Sequence, residues 1–98
     1  MRLIQDYLDY LQHQRAYSAH TVLAYQNDLN HFAGFLENEL SLKLLEQQTL
    51  SDFRAWLAQR MNENKSARSN ARALSSLRGF YKFLECENTA ILRVRSPK

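Results

Sequence analysis

The strongest chemical signal in the sequence is a basic, serine-rich segment in its second half. No acidic residue occurs between Glu63 and Glu85. The five cations of the same segment are Lys65, Arg68, Arg72, Arg78 and Lys82. Exposed helices usually interleave Glu with Lys and Arg, because opposite charges three or four residues apart attract each other. A helix without such acids keeps its positive charge free, and the segment therefore predicts a polyanion partner.

Small polar residues share one helical face with these cations. At about 100° per residue, a single arc holds Lys65, Arg68, Ser69, Arg72, Ser75, Ser76 and Gly79. Small side chains let a sugar-phosphate backbone come close, hydroxyls hydrogen-bond to it, and arginines also reach guanine edges. The same residues could form a solvated helix face without a partner. The missing acidic residues favour the nucleic-acid interpretation.

A second, weaker candidate lies at the predicted start of a helix. Ser18, His20, Thr21 and Asn27 would place small polar groups and free backbone N–H groups against a phosphate. Helix capping and solvation explain most of these residues equally well.

The sequence does not indicate a metal, cofactor or catalytic site. Cys86 is the single cysteine, so it forms no internal disulfide or four-ligand zinc site and fits a reducing compartment. His13, His20 and His31 lack ligand spacing, and we expect them to face solvent or helix ends. Gly-rich phosphate loops, nucleophile elbows and paired carboxylates are also missing from the sequence.

Apolar residues at helical spacing predict four helices that would position these groups. Their predicted spans are Leu3 to about Gln14, about Ser18 to Glu39, Thr49 to a point between Asn62 and Asn64, and Ser66 to about Glu87. Residues 40–48 are expected to be a connection with room for one extra turn, and Phe53 and Trp56 are expected in the core. The sequence therefore predicts an all-α, compact four-helix bundle.

Length and composition limit what this bundle can be. The chain has 98 residues, 45% of them apolar, with two Gly and one Pro, which suits one small helical domain. The net charge of +3 combines −3 in residues 1–40 with +6 in residues 41–98. Since there is no cleavable leader or long apolar run, we expect a soluble, cytoplasmic chain without a membrane partner.

Two sequence elements carry a family resemblance. The first, S-x-x-T-x-x-x-Y-x-x-D-L, consists of Ser18, Thr21, Tyr25, Asp28 and Leu29. The second, S-x-x-R-x-L-S-x-L-R-x-F-Y-x-F-L, runs from Ser69 to Leu84. In this order, with the Trp56 helix between them, they resemble the N-terminal core-binding domain of Xer-type tyrosine recombinases. The segments S-A-H-T (Ser18–Thr21) and S-A-R-S (Ser66–Ser69) are most similar to the XerC branch, with the XerD branch and integrases as alternatives.

The resemblance implies a SAM-like core-binding domain over residues 1–87 and a linker over residues 88–98, closing with Pro97 and Lys98. Such a domain clamps one face of a recombination half-site in duplex DNA. In the XerC and XerD branches, the recombination resolves chromosome dimers. A separate C-terminal domain carries the catalytic residues, so none is expected here. The candidate DNA-binding residues are Lys65, Arg68, Ser69, Arg72, Ser75, Ser76, Ser18, His20 and Thr21. The acidic first helix, with Asp6 and Asp9, suits a partner recombinase subunit.

Two other classes of function fit parts of the pattern. A helical protein–protein interaction module would use the acidic first helix or an apolar patch, and would self-associate without affinity for DNA. A helix-turn-helix-like regulator would bind an inverted repeat as a stable dimer. We expect no small-molecule ligand, and an independent enzyme is the least favoured class.

Overall fold

Every regular element in residues 2–96, the part of the chain that the computed structural model describes, is a helix. The elements are α1 (Arg2–His13), α2 (Ala19–Leu36), α3 (Leu42–Glu46), α4 (Leu50–Asn62), α5 (Ala67–Phe83) and α6 (Thr89–Arg93). The predicted all-α class is confirmed, and the four predicted helices correspond to α1, α2, α4 and α5. Short helices α3 and α6 add to the predicted count. No helix in this range could span a bilayer.

Side-chain caps set the starts of the long helices, as the sequence predicts. Ser18 and Ser66 each accept a hydrogen bond from the backbone N–H three residues further on. At the start of α4, the Thr49 hydroxyl accepts from the Asp52 N–H at 3.1 Å, while the Asp52 carboxylate accepts from the Thr49 N–H at 2.8 Å. This reciprocal capping box satisfies two backbone donors that would otherwise lack partners.

Two helices end earlier than predicted. The second predicted helix extended to Glu39, but α2 ends at Leu36 because Glu37 takes a left-handed φ of 55°. The fourth was expected to reach about Glu87, but α5 ends at Phe83, and Glu85 takes a φ of 52°. A left-handed residue turns the chain away from the helix axis, and here non-glycine residues perform that role.

Aromatic side chains from three helices form the centre of the core. Phe32 lies edge-on to Trp56, with ring centroids 5.0 Å apart, and Phe53 lies edge-on to Tyr81 at 5.9 Å. Phe53 and Trp56 are fully buried, so their placement in the core is confirmed. Tyr81 donates its hydroxyl to the carbonyl of Leu45, which anchors α3 to this centre.

The first part of the predicted linker is packed into the domain. Asn88 caps α6 and donates its side-chain amide to the carbonyls of Leu45 and Gln48. Ile91 and Val94 are buried. Residues 88–94, which fall in the predicted linker, thus pack against the domain, and a five-residue helix is too short to show an apolar period in the sequence. Residues 97 and 98 lie outside the described range.

His31 was expected to face solvent or a helix end, and it lies instead between α2 and α4. Its Nδ1 accepts the indole N–H of Trp56 at 2.9 Å, and its Nε2 lies 2.6 Å from the Glu63 carboxylate. Because indole nitrogen only donates, Nε2 carries the imidazole hydrogen and donates it to Glu63. This bond lowers the pKa of the Glu63 carboxyl.

The Tyr7 side chain of α1 packs directly against α5 at Gly79. A Cβ placed on Gly79 would lie 2.2 Å from the Tyr7 hydroxyl oxygen and 3.4 Å from the Tyr7 ring carbon that bears it. The absence of a side chain on Gly79 therefore allows the buried Tyr7 phenol to lie against the α5 backbone. By contrast, a Cβ on Gly34 of α2 would meet no atom within 4 Å.

We predict that Gly79→Ala lowers the free energy of unfolding by about 1–2 kcal/mol, because overpacking outweighs the better helix propensity of Ala. In a Tyr7→Phe background the same change should be neutral or stabilising, since only the 3.4 Å contact remains. Urea unfolding of the four variants in the cycle measures this coupling. Gly34→Ala is the matched control and should stabilise by up to about 1 kcal/mol. An equal effect of Gly79→Ala in both backgrounds would contradict the interpretation.

Candidate nucleic-acid interface

An ion pair between α2 and α5 fixes one of the predicted DNA-binding arginines. Arg72 donates from Nε to one oxygen of Asp28 at 2.9 Å and from Nη2 to the other at 2.8 Å. The Asp28 side chain is 2% exposed, whereas that of Arg72 is 43% exposed. The hydrogen bonds to Asp28 raise the pKa of Arg72. One edge of the guanidinium is therefore bound within the protein while the side chain reaches solvent.

A second arginine, Arg60 of α4, completes this cluster, and the sequence analysis did not identify it. Arg60 is 2% exposed, and its Nη2 lies 3.5 Å from Asp28. Its Nε donates to Asn70 at 2.8 Å and its Nη2 to Ser69 at 3.1 Å. Burial lowers the pKa of Arg60, and the Asp28 carboxylate opposes that shift. Arginine remains protonated even so, and the buried group is a guanidinium cation.

One sequence signal could have located Arg60. It stands seven residues after Phe53, in the apolar stripe that Trp56 and Leu57 continue. A cation at that position of a buried stripe requires a buried partner. Asp28 is the corresponding acid, lying directly before the buried Leu29 of α2.

Two free cations lie at the N-terminal end of α5, with Lys65 just before the cap Ser66 and Arg68 in the first turn. Lys65 and Arg68 are exposed, and within residues 2–96 neither side chain has a hydrogen-bond or ion-pair partner. A shallow groove of about 280 Å³ is lined by Ser66, Arg68, Ser69 and Arg72. We call Lys65, Arg68, Ser69, Arg72 and Ser75 the basic face. It combines free positive charge with small neighbours that leave room for a polyanion.

Ser76 does not belong to this face, and its predicted DNA contact is incompatible with its position. Its side chain is fully buried, and its hydroxyl donates to the Ala73 carbonyl at 2.8 Å. Four residues beyond Arg72, Ser76 is rotated by roughly 40° toward the core. Ser69 is half-buried and accepts from Arg60, whereas Ser75 is exposed as predicted.

The second candidate, at the start of α2, lies beside the C-terminal half of α5. Asp28 contacts Arg72, while Tyr17, nearer the start of the chain, shares a cavity with Gly79 and Lys82. The two helices therefore run in opposite directions. Ser18 and His20 are exposed, and the Ser18 hydroxyl donates to that of Thr21 at 3.0 Å. The fold thus brings both predicted groups of phosphate-binding residues to neighbouring helices.

Comparison with known proteins defines the class to which this chain belongs. The model of the phage integrase N-terminal SAM-like domain matches residues 4–88, and the chain belongs to this family. Tyrosine recombinase XerC of Rickettsia prowazekii (strain Madrid E) is 42% identical over 104 residues, which cover 98% of this chain and 34% of the relative. XerC of Anoxybacillus flavithermus (strain DSM 21510 / WK1) is 42% identical over 78 residues, covering 80% of this chain and 26% of the relative.

The chain spans about a third of the length of the first of these curated relatives. No solved structure matches it. The family resemblance that the two sequence elements indicated is therefore confirmed.

We predict that Asp28→Asn lowers the free energy of unfolding by about 3–5 kcal/mol, because it leaves the buried Arg60 cation without a counter-charge. Urea unfolding at neutral pH measures the change. The control is Asp6→Asn on the exposed face of α1, which should change stability by no more than about 0.5 kcal/mol. Equal unfolding midpoints for the two variants would show that the ion pair does not hold the helices together.

Proposed function

We propose that this chain is the DNA-binding N-terminal domain of a site-specific tyrosine recombinase and clamps one face of a recombination half-site. The main observation is the basic face of α5, where Lys65 and Arg68 are free and Arg72 is held in place. Membership of the phage integrase N-terminal family supports duplex DNA as the polyanion.

Each group on the basic face has a distinct part in this proposal. Lys65 and Arg68 bind backbone phosphates, which sets the register of the domain on the duplex. Arg72 uses Nε and Nη2 for Asp28, which leaves its Nη1 for a phosphate or a guanine edge. Ser69 and Ser75 allow close approach of the DNA backbone.

The start of α2 contributes the second set of proposed contacts. The Ser18 hydroxyl donates to that of Thr21, which leaves the Thr21 hydroxyl hydrogen and the first N–H groups of α2 to bond to a phosphate beside Ser18. His20 is exposed beside them. Ser76 is not among the proposed contacts because it is buried.

The cutting and rejoining of DNA belongs, in this proposal, to the remainder of a longer protein. Relatives named tyrosine recombinase XerC are about three times as long as the matched region. The present residues therefore bind and orient DNA and contribute no catalytic residue, cofactor or metal site. By the same likeness, the whole protein acts in chromosome dimer resolution in the cytoplasm.

We also infer that a partner recombinase subunit contacts α1. Asp6 and Asp9 are both exposed on the outer face of that helix, and Asp9 accepts a hydrogen bond from Gln5. An acidic helix is unsuited to a phosphate backbone but complements a basic protein surface. In the whole protein, Asp6→Lys with Asp9→Lys should reduce cooperative binding to two adjacent half-sites without weakening binding to one. Unchanged cooperativity in a gel-shift titration would exclude this contact.

The DNA-binding proposal is tested by Arg68→Ala, which removes an exposed cation without a structural partner. Fluorescence anisotropy with a duplex half-site across a salt series should show weaker binding and a salt slope smaller by about 0.9, the value for one phosphate contact on duplex DNA. Arg54→Ala is the control, because Arg54 is an exposed cation on α4. Arg72→Ala is unsuitable, since it would also unpair the buried Asp28.

The same experiment separates the competing classes of function. No binding at low salt by the folded chain would reject the DNA-binding proposal and favour a protein interaction module. Stable dimers that require an inverted repeat would indicate a helix-turn-helix-like regulator. Equal losses for Arg68→Ala and Arg54→Ala would show that net charge, rather than the basic face, governs binding.

A further inference from the structure

A second concave site lies between the C-terminal half of α1, the turn into α2 and the C-terminal half of α5. Its volume is about 350 Å³. The lining residues that matter for its chemistry are Tyr7, Tyr10, Arg15, Tyr17, Gly79 and Lys82. We call this the tyrosine cavity. None of the DNA-binding residues proposed above lines it.

The side chain of the buried Tyr7 forms the floor of the tyrosine cavity. Tyr7 is 3% exposed, and its ring packs against Phe80 and Phe83 with centroids 5.6 and 5.4 Å away. Its hydroxyl lies against Gly79 and lines the cavity. Burial raises the pKa of Tyr7, so the group stays protonated and can donate. Since the hydroxyl oxygen is not fully buried, it can donate to a ligand or to water in the cavity.

Two cations stand at the rim of the same cavity. Arg15 lies 5.9 Å from the centroid of the Tyr17 ring, and the neighbouring Tyr10 phenol raises the pKa of its guanidinium. Lys82 is exposed on the opposite wall, on α5. No acidic side chain lines the cavity. A neutral donor at the floor and two cations at the rim suit an oxyanion, and the tyrosine rings form the walls around it.

We propose that the tyrosine cavity binds a phosphate group through the Tyr7 hydroxyl, Arg15 and Lys82, and that in the DNA complex this group is a backbone phosphodiester. The choice of a phosphodiester rests on the proposed function, and the binding of an oxyanion rests on the cavity alone. Lys82 lies fourteen residues after Arg68 on α5, about 21 Å along the helix axis. Tyr17 directly precedes Ser18, the cap of α2. The cavity therefore extends the proposed contact surface to the far end of α5.

The oxyanion part of the proposal is tested without DNA. Amide chemical shifts of the ¹⁵N-labelled chain are followed during addition of inorganic phosphate, with sodium chloride at equal ionic strength as the reference. We expect saturable shifts at Gly79, Lys82 and Arg15. Tyr7→Phe, which keeps the packed ring and removes only the hydroxyl, should weaken phosphate binding about tenfold. Shifts that match the chloride reference would overturn the site.

The DNA part is tested by anisotropy on the duplex half-site with Tyr7→Phe and Lys82→Gln. We expect about a tenfold loss for the first, and for the second a weaker affinity with a salt slope smaller by about 0.9. The control Lys43→Gln makes the same charge change at an exposed position of α3, away from the cavity. Thermal melts confirm that each variant is folded.

The outcomes distinguish this site from the basic face. If Arg68→Ala weakens DNA binding but Tyr7→Phe and Lys82→Gln behave like Lys43→Gln, the cavity is not a DNA contact although the proposed function holds. If inorganic phosphate binds but neither Tyr7→Phe nor Lys82→Gln changes the affinity for DNA, the cavity binds a free phosphate, and the phosphodiester assignment is wrong. If Arg68→Ala and the cavity variants Tyr7→Phe and Lys82→Gln all weaken DNA binding, one continuous DNA-binding surface is supported.

Discussion

The buried carboxylate of Asp28, held between two guanidinium groups, is the interaction on which the rest of the structure depends. It is 2% exposed, bonds to both donors of the Arg72 fork and lies 3.5 Å from Arg60. An unpaired charge at this depth would be strongly destabilising, so the three side chains must meet in the folded state. Because they come from α2, α4 and α5, that requirement sets how the three longest helices sit against one another.

The same cluster shapes the surface proposed to meet DNA. One carboxylate faces two arginines, so the cluster keeps a net positive charge, and the exposed part of Arg72 lies on the same helix as the free Arg68. A lysine could not replace Arg72, because an ammonium group cannot occupy both carboxylate oxygens and still present a planar edge outward. Arg72 therefore makes a structural contact and a proposed DNA contact at once, whereas Lys65 and Arg68 have only the proposed DNA contact.

Close approach at Gly79 has a comparable effect at the other end of α5. The Tyr7 phenol can reach the α5 backbone only because Gly79 has no side chain, and this contact places the hydroxyl at the floor of the tyrosine cavity. Burial in a domain of this size is limited, and the core is enlarged by Leu45 of α3, Ile91 of α6 and Val94 just after α6. The basic face and one wall of the cavity thus lie along α5, which contacts Asp28 in its N-terminal half and Tyr7 near its C-terminal end.

The sequence determined what depends on near neighbours along the chain. The positions of the helices follow from the spacing of apolar residues. Their starts at Ser18, Thr49 and Ser66 follow from cap side chains that accept a hydrogen bond from the N–H three residues further on. The basic character of α5 follows from the absence of acidic residues in its sequence. Only the tertiary structure decided which polar groups meet across the core. Asp28 and Arg72 are 44 residues apart, His31 and Trp56 are 25 apart, and no local period reveals either pairing. Ser76 shows the limit most clearly: its angle on the helix is close to that of the basic face, yet packing of the neighbouring helices buries it.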